Sequence, residues 1–257
     1  MKPAIFVTGA GAGIGNATVR RFVRGGWCVG ASDVDGAAVE KLAGELGADV
    51  VPAALDVVDA TAFARAVAAF VAKTGRLDVM FNCAGIATVG DFESIPPERH
   101  AAIVDINVKG VINGALAALP FLRATPGARL ISMCSASAIY GTASFASYSA
   151  TKFAVKGLSE ALSQEWARYG IRVMDVMPLF VKTGMVESMP GSNVALSRLG
   201  VHLSADDIAR VIWKAAHYRG LPKVHWYPGI QTKALAISQK LLPALLYRAS
   251  AKMTSGY

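Results

Sequence analysis

Tyr148-Ser149-Ala150-Thr151-Lys152 sets a phenol and an ammonium four positions apart in a segment with helical spacing. Residues four apart share a helix face, so the two groups reach the same space. A phenol, with an ordinary pKa of ~10, is a weak base near neutrality. A neighbouring ammonium favours its phenolate form, so the pair has the makings of a proton-transfer centre. Taken alone, the same spacing also describes an ordinary exposed pair on a helix. Ser135 precedes Tyr148 by 13 residues and ends an apolar run, which adds a hydroxyl donor to the set.

A second cluster lies near the start of the chain. Thr8-Gly9-Ala10-Gly11-Ala12-Gly13-Ile14-Gly15 joins an apolar run to a segment of helical period. Glycines there permit a tight turn and bring backbone N–H groups close to a pyrophosphate. The positive end of the helix acts on the same group. The plain alternative is a turn with no ligand, and the position between strand and helix favours the nucleotide reading. Asp33 ends the next strand-like run. Its carboxylate can accept from both hydroxyls of an adenosine ribose and would repel a 2′-phosphate. Val34 follows it and Ala12 lies in the loop, so no base stands by to neutralise an extra phosphate. NAD is therefore expected over NADP, the alternative for Asp33 being a helix-capping or turn aspartate.

Strand and helix must alternate to position these groups. Apolar runs at 4–8, 27–32, 49–54, 78–82, 129–134, 171–177 and 223–226 read as strands. Helical spacing covers 13–24, 36–46, 61–73, 97–123, 147–169, 205–217 and 231–252, with Pro243 inside the last. Short strands without polar alternation are expected where both faces of a sheet are covered. The fold class is thus α/β, a doubly wound parallel sheet in one domain spanning 1–257. Ligands of such sheets bind beyond the carboxyl ends of the strands, which is where the unusual residues fall.

Asn82-Cys83-Ala84-Gly85 closes the fourth strand, and Asn107-Val108-Lys109-Gly110 lies in the long helical region. With these in register, the sequence resembles the short-chain dehydrogenase/reductase family over about residues 4–226. The resemblance implies a Rossmann-like oxidoreductase fold, a hydride transfer to or from NAD(H), and a homo-oligomer. It implies Tyr148 as general acid/base, Lys152 as the group that favours its phenolate and holds the nicotinamide ribose, and Ser135 as donor to the substrate oxygen. It implies that Asn107 holds a water in a relay through Lys152. Cofactor contacts are implied for Gly9, Gly13, Ile14, Gly15, Asp33, Asp56, Val57, Asn82, Ala84, Gly85, Val181 and Thr183. Two positions depart from the family pattern: Leu179 follows Pro178 where glycine is usual, and Cys83 stands where asparagine is frequent.

Residues 184–200 are expected to form a substrate lid. Met185, Val186, Met189, Val194, Leu196 and Leu199, with Ile139, Tyr140 and Phe145, suggest a pocket for a lipophilic secondary alcohol or ketone. The competing readings are an NADPH-linked ketone or ketoacyl reductase and a non-catalytic NAD-sensing protein. The former conflicts with Asp33, the latter with the intact Ser135, Tyr148 and Lys152.

Cys28, Cys83 and Cys134 are scattered and lack metal-ligand spacing, so free thiols and no metal are expected. The uncharged stretch 130–151 is long enough to cross a bilayer but holds eight Ser or Thr residues, and no secretory signal is visible. A cytoplasmic protein is expected. Residues 1–207 have 18 basic and 18 acidic side chains, whereas 208–257 have eight basic ones and no acid. Such asymmetry suggests an anionic partner or a solvated basic face. Nucleic acid is not expected, because no basic and aromatic interleaving accompanies the charge. The basic tail 231–252 places Lys233, Lys240, Arg248 and Lys252 within about 120° at helical pitch. It is expected to contact a partner subunit, the substrate pocket or a membrane surface.

Overall fold

The computed structural model describes residues 1–187, 198 and 200–242. The strands are β1 (Ala4–Thr8), β2 (Cys28–Asp33), β3 (Val50–Ala54), β4 (Val79–Asn82), β5 (Arg129–Met133), β6 (Arg172–Val176), β7 (Val181–Lys182), β8 (Leu203–Ser204) and β9 (His225–Trp226). The helices are α1 (Gly13–Arg24), α2 (Gly36–Leu46), α3 (Ala60–Thr74), α4 (Pro97–Val104), α5 (Gly110–Arg123), α6 (Ala146–Glu165), the one-turn α7 (Gly184–Glu187), α8 (Ala205–Ala216) and α9 (Ile230–Leu241).

Seven strands form one sheet in the order β3-β2-β1-β4-β5-β6-β9, and every pairing is parallel. The chain winds outward from β1 to β3, then crosses to β4 and winds the other way. That reversal opens a crevice at the carboxyl ends of β1 and β4, where doubly wound sheets take ligands. The short β7 and β8 pair separately.

The uninterrupted apolar strands have the expected cause. In β1, Ile5 and Val7 pack with Val19 and Phe22 of α1, Val39 and Leu42 of α2, and Ile208 and Ile212 of α8. Ala4 and Phe6 of the same strand pack on the opposite face with Phe63, Val67 and Phe70 of α3, Ala118 and Leu122 of α5, and Trp166. A strand between two helical layers has no solvent face on which to place polar residues.

The helical region 97–123 is not continuous. A π turn over Asp105–Lys109 separates α4 from α5, and it places Asn107 in the interior. π turns inserted in α-helices are frequent at functional sites. This run is long and apolar enough to cross a bilayer, but Ile103, Val111, Ala115, Ala118 and Leu122 are buried within the protein. Residues 188–197, 199 and 243–257, which hold most of the expected lid and the end of the basic tail, lie outside the described residues.

Candidate active site

The glycine loop turns tightly because its glycines leave no room for side chains. Gly9 has a φ of 69°, and a Cβ there would stand 2.9 Å from the backbone of Ala84. A Cβ on Gly15 would meet the Gly9 carbonyl oxygen at 1.9 Å. Thr8 fixes the neighbouring strand end: its hydroxyl accepts from the N–H groups of Cys83, at 3.0 Å, and Ala84, at 3.1 Å. The loop is thereby sewn to the fourth strand across the crevice. Thr8 carries this role without any signal in the sequence beyond its place before Gly9.

Asp33 faces the loop from the end of β2. Its carboxylate accepts from the Gly11 N–H at 2.9 Å and from the Asp35 N–H at 3.1 Å. Each oxygen of a carboxylate has two lone pairs, so both keep capacity for a ribose hydroxyl.

A cavity of about 940 Å³ runs along these strand ends. Gly9, Gly13, Ile14, Gly15, Asp33, Asp56, Val57, Ala84 and Gly85 line it together with Ser135, Tyr148, Lys152, Val181 and Thr183. All of these were expected at the site, and Thr183 stands against Gly13, where a Cβ would come within 3.3 Å of its methyl group. Among the described residues, Lys152 is the one cation on the wall. The remaining lining is mostly apolar and includes Tyr140, Phe145, Leu179, Phe180, Met185, Val186 and Leu235.

Two expected residues stand behind the wall. Asn82 is buried and donates weakly to the Val111 carbonyl at 3.4 Å. Asn107 is fully buried: it accepts from the Ile86 N–H at 2.9 Å and donates to the Ile86 carbonyl at 2.9 Å and the Thr151 hydroxyl at 3.2 Å. It clamps the loop after β4 to the catalytic-helix candidate α6. Ile139, expected in the pocket, is instead packed in the core with Cys134, Val155 and Met177. Met189, Val194, Leu196 and Leu199 lie outside the described residues.

Lys152 is buried and donates to the Met133 carbonyl at 2.9 Å. A buried ammonium is costly unless its charge is used. Here it lies 5.5 Å from the centroid of the Tyr148 ring. Gly85 keeps this space open, since a Cβ there would approach the Asn107 Oδ1 to 3.0 Å and Lys152 Nζ to 3.8 Å. Ser135 begins a short 3₁₀ turn whose next N–H, from Ala136, donates to the Pro178 carbonyl at 2.8 Å. That bond ties the serine loop to the segment carrying Leu179. Burial pushes the thiols of Cys83 and Cys134 up to about 12, so neither is a nucleophile near neutrality.

The crevice fits a dinucleotide. It has a glycine loop at a helix N-terminus, the Asp33 carboxylate at the next strand end, and the Tyr148 phenol and Lys152 ammonium in the same cavity. Fold and site together define a nucleotide-binding oxidoreductase of the Rossmann type. The chain belongs to the short-chain dehydrogenase/reductase family, whose profile, described as short chain dehydrogenase, matches residues 3–192. It is 33% identical over 213 residues to the 3-oxoacyl-[acyl-carrier-protein] reductase FabG of Thermotoga maritima, covering 80% of this chain and 87% of that protein. It is 34% identical over 194 residues to the 3alpha-hydroxysteroid dehydrogenase of Mediterraneibacter gnavus, covering 72% and 76%. Among solved structures, a 3-ketoacyl-(acyl-carrier-protein) reductase from Brucella melitensis complexed with NADH superposes with a TM-score of 0.79. The two are 28% identical, and the match covers 88% of this chain and 96% of that one.

Proposed function

We propose that this protein is one dehydrogenase domain that interconverts lipophilic secondary alcohols and ketones with NAD(H), Tyr148 being the general acid/base. The observation that carries the reading is the continuity of one cavity. It passes from Asp33, past the glycine loop, to Ser135, Tyr148 and Lys152, and on to an apolar wall. A nicotinamide dinucleotide bound there supplies the hydride acceptor or donor.

Backbone N–H groups of Gly13, Ile14 and Gly15, with Thr183, would hold its pyrophosphate. Asp33 would accept from the adenosine ribose. Asp56, Val57, Ala84 and Gly85 would border the adenosine, Asn82 would support that wall from behind, and Val181 would border the carboxamide. Among the described residues, Asp33 and Asp56 are the acids of the cavity lining and Lys152 is its only base, and that favours NAD over NADP.

In oxidation, the Ser135 hydroxyl holds the substrate oxygen while Tyr148 Oη, as phenolate, takes the alcohol proton. In reduction the phenol returns a proton to the same oxygen. Lys152 favours the phenolate by its charge and holds the nicotinamide ribose. The Asn107 amide N–H groups are committed, so a relay water behind Lys152 would use the second lone pair of its Oδ1.

The similarity to ketoacyl reductases supports a second reading, a ketoacyl reductase; its NADPH-linked form is the one Asp33 disfavours. A homo-oligomer in the cytoplasm completes the proposal. The deciding experiment is a screen of alcohols and ketones by NADH absorbance in both directions. Turnover of lipophilic pairs with NAD(H) is expected. Activity confined to NADPH and acyl thioesters would establish the second reading, and binding of NAD without any turnover would make the protein a sensor.

A further inference from the structure

Helix α9 has two working faces. Toward the protein, Thr232 and Ala236 are buried, and Leu235 lines the apolar wall of the cavity beside Leu179. Toward solvent, Ile230 is 84% exposed, Leu241 76% and Ile237 57%. At 3.6 residues per turn these three, with Ala234, fall within about 60° of one another, and Lys233 and Lys240 flank them on one side. The outward lysines share the solvent side with aliphatic residues, so the face is basic and apolar at once. Singly exposed aliphatic residues are ordinary, but a stripe of them on one helix is not a solvated face.

We propose that α9 lies on an anionic lipid surface, with Ile230, Ile237 and Leu241 entering the headgroup boundary and Lys233 and Lys240 meeting lipid phosphates. Such a combination of an apolar stripe and flanking lysines is how interfacial helices bind. Charge selects this occupant over a second copy of the chain. From residue 208 onward the sequence contains no acid, so an α9 face meeting its own copy would offer Lys233 and Lys240 no counter-charge. The placement also has a consequence. The helix touching lipid with one face closes the substrate cavity with the other, through Leu235. A lipophilic substrate would then enter from the bilayer side. That consequence rests on the proposed function, whereas the surface contact does not.

The test is co-sedimentation of the full chain with vesicles of phosphatidylcholine alone or of phosphatidylcholine with phosphatidylglycerol. Binding to the anionic vesicles only, reduced at low ionic strength by about tenfold or more in Ile237→Ser/Leu241→Ser and in Lys233→Gln/Lys240→Gln, is expected. Both variants alter exposed positions, and unchanged thermal unfolding and NAD binding will establish that they fold. Equal sedimentation of the original and both variants, or no sedimentation of any, overturns the proposal. So does a variant that leaves vesicle binding unchanged but converts an oligomer to a monomer in light scattering, which would assign the face to a second copy. No substrate is used, so a failed alcohol screen and a failed lipid assay remain separate results.

Discussion

The ammonium of Lys152 stands 5.5 Å from the centre of the Tyr148 ring, anchored from behind by the Met133 carbonyl at the end of β5. The strand end therefore fixes the charge, and the helix spacing of four fixes the phenol beside it. Tyr148→Phe keeps the ring and its edge contact with Phe145 but removes the proton carrier. Loss of kcat by about 10²-fold or more is expected, with NAD affinity measured by fluorescence titration little changed. Full activity in this variant would refute the role of Tyr148. Lys152→Met should lower kcat and weaken NAD binding together if, as proposed, one ammonium serves both the phenol and the ribose.

Asp33 accepts from two backbone N–H groups of its own surroundings and keeps lone pairs toward the cavity. Removing a charged acceptor from a ribose costs about 1.5–3 kcal/mol. Asp33→Ala should thus reduce kcat/KM with NAD by about 10- to 100-fold while easing entry of NADP. Adding Val34→Arg, at an exposed position beside it, should move the preference further toward NADP. Steady-state kinetics with both cofactors check this, and a native preference for NADP would sink the assignment.

The strands and helices were legible because period and punctuation agreed. The glycine loop, Asp33 and the Tyr148–Lys152 pair occupy strand ends and helix starts that sequence spacing alone locates. The π turn was not legible. Nothing in Asp105-Ile106-Asn107-Val108-Lys109 breaks helical period, and only the tertiary partners Ile86 and Thr151 account for the place of Asn107. The inward turn of Ile139 escaped for a similar reason: an apolar residue beside a cavity reads the same whether it lines the wall or supports it. Helical pitch sets Leu235 opposite the basic residues of the tail, but only the packing of α9 places it on the cavity wall.

Leu179, where the family usually has glycine, packs against the core cluster that holds Cys134, Ile139 and Met177, as Leu235 and Tyr227 also do, and lines the cavity. A leucine there adds apolar surface to the cavity wall, on the side the proposed function gives to the substrate. Leu179→Ala removes about three methyl or methylene equivalents from that wall, and one methylene in a hydrophobic pocket is worth about 1–3 kcal/mol. The kcat/KM for a bulky lipophilic ketone should fall at least about tenfold, with that for a short ketone nearly unchanged. A uniform effect on both would mean that Leu179 shapes the nicotinamide site and not substrate choice.

His225 joins the edge strand β9 to the body through two carboxylates. Its Nδ1 lies 2.9 Å from Asp175, which is fully buried, and its Nε2 lies 3.0 Å from the half-exposed Glu160. With both carboxylates ionised, both contacts are satisfied together only when both ring nitrogens carry hydrogen, an arrangement that favours the imidazolium. Burial alone would lower the His225 pKa, but the hydrogen bond and charge of Asp175, helped by Glu160, outweigh it and hold the value above the usual histidine range. A raised folded-state value means that this stability is fully present below the unfolded value of ~6.5 and is lost as pH rises through the folded value. Burial raises the Asp175 carboxyl, and a raised acid likewise costs stability as pH rises. Thermal unfolding should therefore show a Tm that falls from pH 6 upward. His225→Gln keeps a neutral donor but cannot become a cation, so its Tm should be lower than the native value at pH 6 and should fall less steeply with pH, the buried Asp175 remaining to titrate. A change of about 1 kcal/mol would appear as about 2–4 °C in a chain of this size. A native Tm that is level or rises across this range, or a His225→Gln profile parallel to it, would remove the clamp from the account of β9.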